Sequence, residues 1–483
     1  MRLGAGGGRA HAVHRHVAVA LDADLGDAES VLVGGKGRAI AAMVAMGLPV
    51  PPAFCVACEW CDECGRDPAA LVDLVWPDVL GGLAQLEART GCTFGRGPRP
   101  LLLSVRSSGQ TSMPGMLETV LNVGVDDGVL AAFASSHGAA FAADLAERAH
   151  RGGRAVLPDP LTQLRDAIGA VVASWSSSRA AAYRAHRGVD RGGIAVLLQA
   201  MVFGNLDAHS GTGVLFTRDP ATGAADPFGE WLPRAQGDDV VSGTSDCLPL
   251  TRLADRLPQV YDELLAAGRR LERAGADVQD VEFTVQAGEL WLLQSRAAKR
   301  APRAALRLAL ALRDEGLIDD DEMLARVTAE QLAAVTAGRS QPQPSGPTLA
   351  TGLPACPGVA TGLVCTTSED AIAAADEGRD VVLVRPTTSP EDVAGLMSAR
   401  AVVTEVGGAS SHAAIVAREL GIPAVVGCGA GLTTLLAGRT VTVDGSAGEV
   451  RAGAPETPEV ARTPLLDVEL QRFTDVARRV SGR

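Results

Sequence analysis

Residues 401–421 read Ala-Val-Val-Thr-Glu-Val-Gly-Gly-Ala-Ser-Ser-His-Ala-Ala-Ile-Val-Ala-Arg-Glu-Leu-Gly. Ala401 to Thr404 is short, apolar and β-branched, the composition of a strand. Gly407-Gly408 then marks a turn, and Ser410-Ser411 is a good N-cap pair for a helix from about His412 to Leu420. Gly421 is placed as the C′ residue, with Pro423 just beyond it. His412 therefore falls in the first helical turn, behind a Gly-rich backbone. Free N–H groups and the positive end of the helix dipole favour an anion there, so a phosphoryl group on the imidazole would be stabilised. On local pattern alone, a histidine at a helix start is more often a cap or a structural residue.

Around this unit, short strands and helices fill a segment over 347–454. Ser340 to Gly346 (Ser-Gln-Pro-Gln-Pro-Ser-Gly) is the clearest linker of the chain. Pro455 to Pro464 is a second, followed by a final helix over Leu465 to Val480, within 455–483. A helical connector and linker occupies 301–346, with Ala304 to Arg313 helical and Gly316 as C-cap. A large first domain is expected over 21–300, after an N-terminal tail over 1–20. Strands mixed with helices throughout make the fold class α/β and α+β, in more than one domain.

Within 21–300, Val281 to Val285 alternates with period two and is followed by Gln286-Ala287-Gly288-Glu289 and the apolar run Leu290 to Leu293, a hairpin with a Gly-containing turn. Asp280 and Glu282 are two apart and face one side. Gln294 and Arg296 across the hairpin can share that side, so the four suit Mg²⁺ and phosphate oxygens; a solvated edge hairpin with a salt bridge is the plainer reading. Lys36, in what reads as the Gly34-Gly35-Lys36-Gly37 turn, and Arg106, after the run Leu101 to Val105, offer positive charge. The turn is not a Walker A loop, because no Lys-Ser or Lys-Thr stands at the required spacing. Cys55, Cys58, Cys61 and Cys64 have a spacing that suits zinc or an iron–sulfur cluster, and they are read here as four reduced thiols.

Composition narrows the function classes. A charged fraction of 21%, a hydrophobic fraction of 47% and a net charge of −13 without a Lys/Arg block leave no footprint for nucleic acid. No run of eighteen or more apolar residues predicts a membrane span, and no h-region marks a signal peptide. Nine cysteines, an odd number, fit a reducing compartment, so a cytoplasmic protein is expected.

The stretch Gly407 to Arg418 closely resembles the phosphohistidine signature of the phosphoenolpyruvate-utilising enzymes, and the chain looks most like the pyruvate, phosphate dikinase family among them. Ser104 to Thr119 is similar to that family's nucleotide-site loop. Gln199 to Asn205, Ser210 to Pro220, Ala235 to Val241, Asp280 to Thr284 and Leu293 to Arg296 match in the same order.

The resemblance implies an ATP-grasp nucleotide-binding domain followed by a swivelling phosphohistidine domain. It implies that Lys36, Arg106, Asp280, Glu282, Gln294 and Arg296 hold ATP and Mg²⁺, with Asp280, Glu282 and Gln294 on the metal. It makes His412 the phosphorylated residue, on an exposed helix start, with Gly407, Gly408, Ser410 and Ser411 as its supporting loop. The family reaction cleaves ATP to AMP, sends the β-phosphoryl to histidine and passes the γ-phosphoryl to inorganic phosphate; water is the other candidate acceptor here.

Three departures stand out. Gly124 to Val156 is shorter than the corresponding stretch, Ala409-Ser410-Ser411 replaces Met-Thr-Ser, and the family's pyruvate-binding barrel is expected to be missing. A separate pyruvate- or phosphoenolpyruvate-binding protein or domain is therefore the expected acceptor. The rivals are an antibiotic-type small-molecule phosphotransferase, similar to the rifampin-phosphorylating enzymes, and a non-catalytic nucleotide-binding fragment.

Overall fold

Three sheets position everything that follows in the computed structural model, which describes residues 18–22, 25–57, 67–110, 113, 116–150, 159–187, 193–241, 247–338, 346–453 and 464–482. The first sheet contains β1 (Ala18–Ala20), β2 (Ala53–Val56), β3 (Leu103–Gly109), β4 (Thr119–Val123) and β5 (Ile194–Ala200). Its order is β1-β2-β5-β3-β4, antiparallel throughout. The run Ile-Ala-Val-Leu-Leu-Gln-Ala of β5 is buried along its whole length, as a central strand covered on both faces must be.

Helix α1 (Gly34–Ala45) covers one face through Ile40 and Met43. Helices α2 (Pro68–Thr90) and α3 (Pro160–Ser174) cover the other through Leu71, Val75, Val79, Leu164, Ile168 and Val171. Each such side chain contributes about 1.5–3 kcal/mol when fully buried. Among the described residues α2 alone is long and apolar enough to cross a membrane. Here one of its faces is buried on the sheet, and it is bounded by an Asp67 cap that accepts from Ala69 and Ala70 and by left-handed Gly91.

The second sheet runs β8-β7-β6-β9-β10 and is made of β6 (Gly211–Phe216), β7 (Phe228–Pro233), β8 (Leu248–Pro249), β9 (Gln279–Gln286) and β10 (Glu289–Ala297). It carries the predicted hairpin, with β10 at the edge and β9 inside, paired to both β10 and β6. Val281, Phe283 and Val285 are fully buried beneath it against helix α4 (Pro258–Gly275), and Phe283 stacks on Trp231.

The third sheet has eight strands: β11 (Thr348–Thr351), β12 (Leu353–Cys356), β13 (Val359–Cys365), β14 (Val381–Arg385), β15 (Ala401–Thr404), β16 (Ala424–Val426), β17 (Thr440–Asp444) and β18 (Glu449–Ala452). Its order is β11-β18-β17-β13-β14-β15-β16-β12, with β13 to β16 parallel. Helix α5 (Pro302–Asp314) leads toward it, and the terminal helix α6 (Pro464–Ser481) adds Phe473 and Val476 to the core that α5 shares. The architecture is mixed α/β and multidomain, as expected.

One local expectation is corrected. Gly34-Gly35-Lys36-Gly37 is the first turn of α1 and no loop. The glycines are there because the helix start lies against a strand end: a Cβ on Gly34 would collide with the Ser108 carbonyl, and one on Gly37 with Val33 and Cys55. Cys55 is buried in β2, whereas Cys58, Cys61 and Cys64 lie outside the described residues, as does most of the 340–346 linker.

Candidate active site

The hairpin register brings the predicted constellation together. Asp280 pairs with Arg296 and Glu282 with Gln294, so all four emerge on one face, and the ladder shifts only beyond Glu282. Arg296 Nε donates to Asp280 Oδ2 at 2.8 Å. Arg106, reaching from β3 in the other sheet, donates to Glu282 Oε2 at 3.2 Å and to Gln294 Oε1 at 3.3 Å. Lys36 arrives from the first turn of α1. That turn is fixed by the Ser108 hydroxyl, which accepts from Gly37 N–H at 3.1 Å and donates to Val33 C=O at 2.6 Å. Ser108 lies two residues past Arg106 on β3, so one strand positions both cations.

These side chains line one cavity of about 790 Å³, between the two five-stranded sheets and the third-sheet unit. Its apolar wall includes Met201, Val202, Val214 and Leu293, and Thr388, Ser410 and His412 close it from the third-sheet side. Cavities of this size, mostly apolar with a few convergent polar groups, suit a ligand as large as a nucleotide.

The helix His412–Leu420 follows the Gly-rich loop on the third-sheet side. Ser411 caps it by accepting from Ala414 N–H, and left-handed Gly421 ends it. His412 is 7% exposed, which corrects the expectation of an exposed helix start. Its Nδ1 lies 3.1 Å from Thr388 Oγ1. Its Nε2 is buried without a hydrogen-bond partner on a side chain that lines the cavity. If Nδ1–H donates to Thr388, the Nε2 lone pair is left free.

The preceding loop is held from both sides. Glu230 on β7 accepts from Ala409 N–H at 2.6 Å, from Ser410 N–H at 3.0 Å and from the Ser410 hydroxyl. A Cβ on Gly408 would strike that carboxylate, which is why glycine stands there. Arg418 donates to the carbonyls of Ala409 and Ala355 from below.

Burial and charge tune the site. Burial, then the nearby Arg106 and Arg296 charges, lower Lys36 to about 7 against the pull of Glu282. Burial raises the Asp280 carboxyl despite Arg296 beside it. Burial also works against the Glu282 charge, but Arg106, Arg296 and Lys36 outweigh it and hold that carboxyl below its ordinary value. Burial lowers His412, with Asp392 opposing, which favours the neutral nucleophilic imidazole. Two carboxylates and the Gln294 amide oxygen form a hard donor set fit for a divalent cation. Among the described residues no three His, Cys, Asp or Glu side chains gather as a metal site, so phosphate oxygens would have to complete the shell.

Sequence comparisons accord with this arrangement. Residues 75–248 match the family described as pyruvate phosphate dikinase, AMP/ATP-binding domain, and residues 377–448 match the mobile domain of PEP-utilising enzymes. The pyruvate, phosphate dikinase of Rhizobium meliloti (strain 1021) is 36% identical over 93% of this chain and 59% of its own length. Over most of its length the chain is similar to pyruvate, phosphate dikinases. Pyruvate, phosphate dikinase 2 of Zea mays is 38% identical over 92% of the chain and 57% of its own, and the Clostridium symbiosum dikinase is 35% identical over 89% and 57%. The chain thus spans a little under three fifths of these dikinases.

Every residue singled out from the sequence as a nucleotide or metal ligand lines the cavity, as does His412. Ser410 also reaches it, while Ser411 serves as the cap and Gly407 and Gly408 form the loop behind. Thr111, Ser112, Pro114 and Gly115 of the nucleotide-site loop lie outside the described residues. Sequence reasoning missed Thr388, Ser108 and Glu230. The available signals were Thr388 in a Pro-Thr-Thr-Ser-Pro turn after an apolar run, and a lone acid in Phe-Gly-Glu-Trp-Leu.

Proposed function

We propose that this chain is a dikinase-type phosphotransferase in which His412 takes the β-phosphoryl group of ATP. The carrying observation is the unpartnered, buried Nε2 of His412, on a residue lining the same cavity as Lys36, Arg106, Asp280, Glu282, Gln294 and Arg296. The two five-stranded sheets form an ATP-grasp domain over 21–300, and the third sheet is a swivelling phosphohistidine domain over 347–454. The connector spans 301–346, and 455–483 holds the last linker and helix.

Arg106 and Arg296 turn from Glu282 and Asp280 to the phosphates when ATP enters, with Lys36 beside them, so that both carboxylates would be free to hold a metal. Asp280, Glu282 and Gln294, with phosphate oxygens, would hold Mg²⁺, which would supply charge neutralisation to the triphosphate. His412 Nε2 attacks Pβ, and the bond from Pβ to the α–β bridging oxygen breaks with its electron pair leaving on AMP. Inorganic phosphate or water then attacks Pγ, so that pyrophosphate or phosphate departs and one phosphoryl group remains on His412. Thr388 keeps the proton on Nδ1 through this sequence. Onward transfer to pyruvate is the reading that the names of the dikinase relatives support.

Isotope exchange between AMP and ATP, without any acceptor, tests the first step. Exchange that depends on His412 is expected. Tight ATP binding with no exchange would mean a nucleotide-binding module without turnover.

A further inference from the structure

Lys36 and Lys299 are the only lysines in this chain of 483 residues, and every other basic side chain but the histidines is arginine. Arginine is thus the default cation, and each lysine marks a place where a compact, single-point charge is used instead. Lys36 stands in the nucleotide cavity. Lys299 stands three residues past Arg296, and its ammonium lies 3.2 Å from Glu419 Oε1. The Tyr183 hydroxyl donates to the same oxygen at 3.0 Å. Glu419 is seven residues from His412 on one helix, which puts the two on the same helical face, two turns apart.

We propose that Glu419 is the docking carboxylate of the histidine helix and that Lys299 and Tyr183 form its receptor on the nucleotide-binding part. All three are positioning residues. Together they fix the helix axis at its C-terminal end, while Glu230 fixes the loop at its N-terminal end, so His412 meets the cavity in one orientation. A lysine suits a contact that must open in every cycle. An ammonium binds one oxygen and leaves room there for the Tyr183 hydroxyl, whereas a guanidinium fork would take both oxygens and hold longer.

This inference rests on the proposed phosphorylation of His412 in the docked state, and its test has two arms. In the first, the unmodified protein is treated with a zero-length carbodiimide, which joins an amine to a carboxylate in contact, and is analysed by peptide mass spectrometry. A Lys299–Glu419 amide is expected; its absence would overturn the inference whatever the enzyme does. In the second, His412 labelling from β-labelled ATP is timed. Lys299→Glu should slow labelling about tenfold with ATP affinity unchanged, and Lys299→Glu combined with Glu419→Lys should recover most of the rate. A Lys299→Glu variant as fast as the parent, or a double variant no faster than the single, would overturn it. If the parent chain is never labelled, the phosphotransfer reading fails instead, and the cross-link still decides whether Glu419 docks on Lys299.

Discussion

Glu230 holds Ser410 and its neighbour Ala409 through three hydrogen bonds to one buried carboxylate: from the Ser410 hydroxyl, the Ser410 N–H and the Ala409 N–H. A strand of the second sheet thereby grips the loop that presents His412. Charge-assisted bonds of this kind are worth about 1.5–3 kcal/mol each. Glu230→Gln keeps the shape but turns an amide N–H₂ toward donors. It should slow His412 phosphorylation roughly ten- to a hundredfold and leave ATP affinity, measured by calorimetry, within about twofold. A matching loss of ATP affinity would place Glu230 in the nucleotide site itself.

Thr388 controls which imidazole nitrogen is free. Thr388→Val strips Nδ1 of its hydrogen-bond partner inside a buried site and lets the tautomers mix. Single-turnover phosphorylation should fall roughly tenfold or more, with Thr388→Ser restoring most of it. Equal rates in the Val and Ser variants would show that the hydroxyl has no part in orienting the ring.

Lys36 makes nucleotide binding depend on pH. With its value lowered to about 7, the ammonium is largely present below pH 7 and lost above it in the free protein. Phosphate oxygens favour the protonated form, so ATP affinity should be full near pH 6 and weaken by up to about tenfold per unit above pH 7. Lys36→Met should bind ATP more weakly at pH 6 and show a flatter profile. A parent profile level from pH 6 to 9 would mean that Lys36 does not titrate in this range.

The proposed function assigns metal and phosphate handling to the hairpin constellation. Glu282→Ala removes a hard oxygen donor and Arg296→Ala a phosphate clamp, and each should cost roughly ten- to a thousandfold in the rate of phosphohistidine formation. Arg296→Ala also leaves Asp280 buried without its 2.8 Å partner, so a lower thermal midpoint is expected as well. Normal labelling rates in both variants would put the reactive site elsewhere.

Much of this site could be read in the sequence because its parts are local patterns. Asp280, Glu282, Gln294 and Arg296 follow from period-two alternation across a short turn, and His412 from a cap-and-glycine frame that bounds one helix. What could not be read depends on contacts between distant segments. Gly34 to Gly37 look like a loop because glycine breaks helices, yet close approach to Ser108 and Cys55 demands them within one. The burial of His412 goes with such contacts too, since the cavity it lines is shared with Lys36, Arg106 and Arg296, all more than a hundred residues upstream. Glu230 and Thr388 carry no motif, and only packing shows what they hold.

The central claim is that ATP phosphorylates His412, and β-labelled ATP measures it most directly. With Mg²⁺ present, the chain should acquire an acid-labile, base-stable label that maps to the peptide containing His412. His412→Ala should abolish that label while ATP binding stays nearly intact. Undiminished label in the His412→Ala protein, or label from the γ-position alone, would contradict the account.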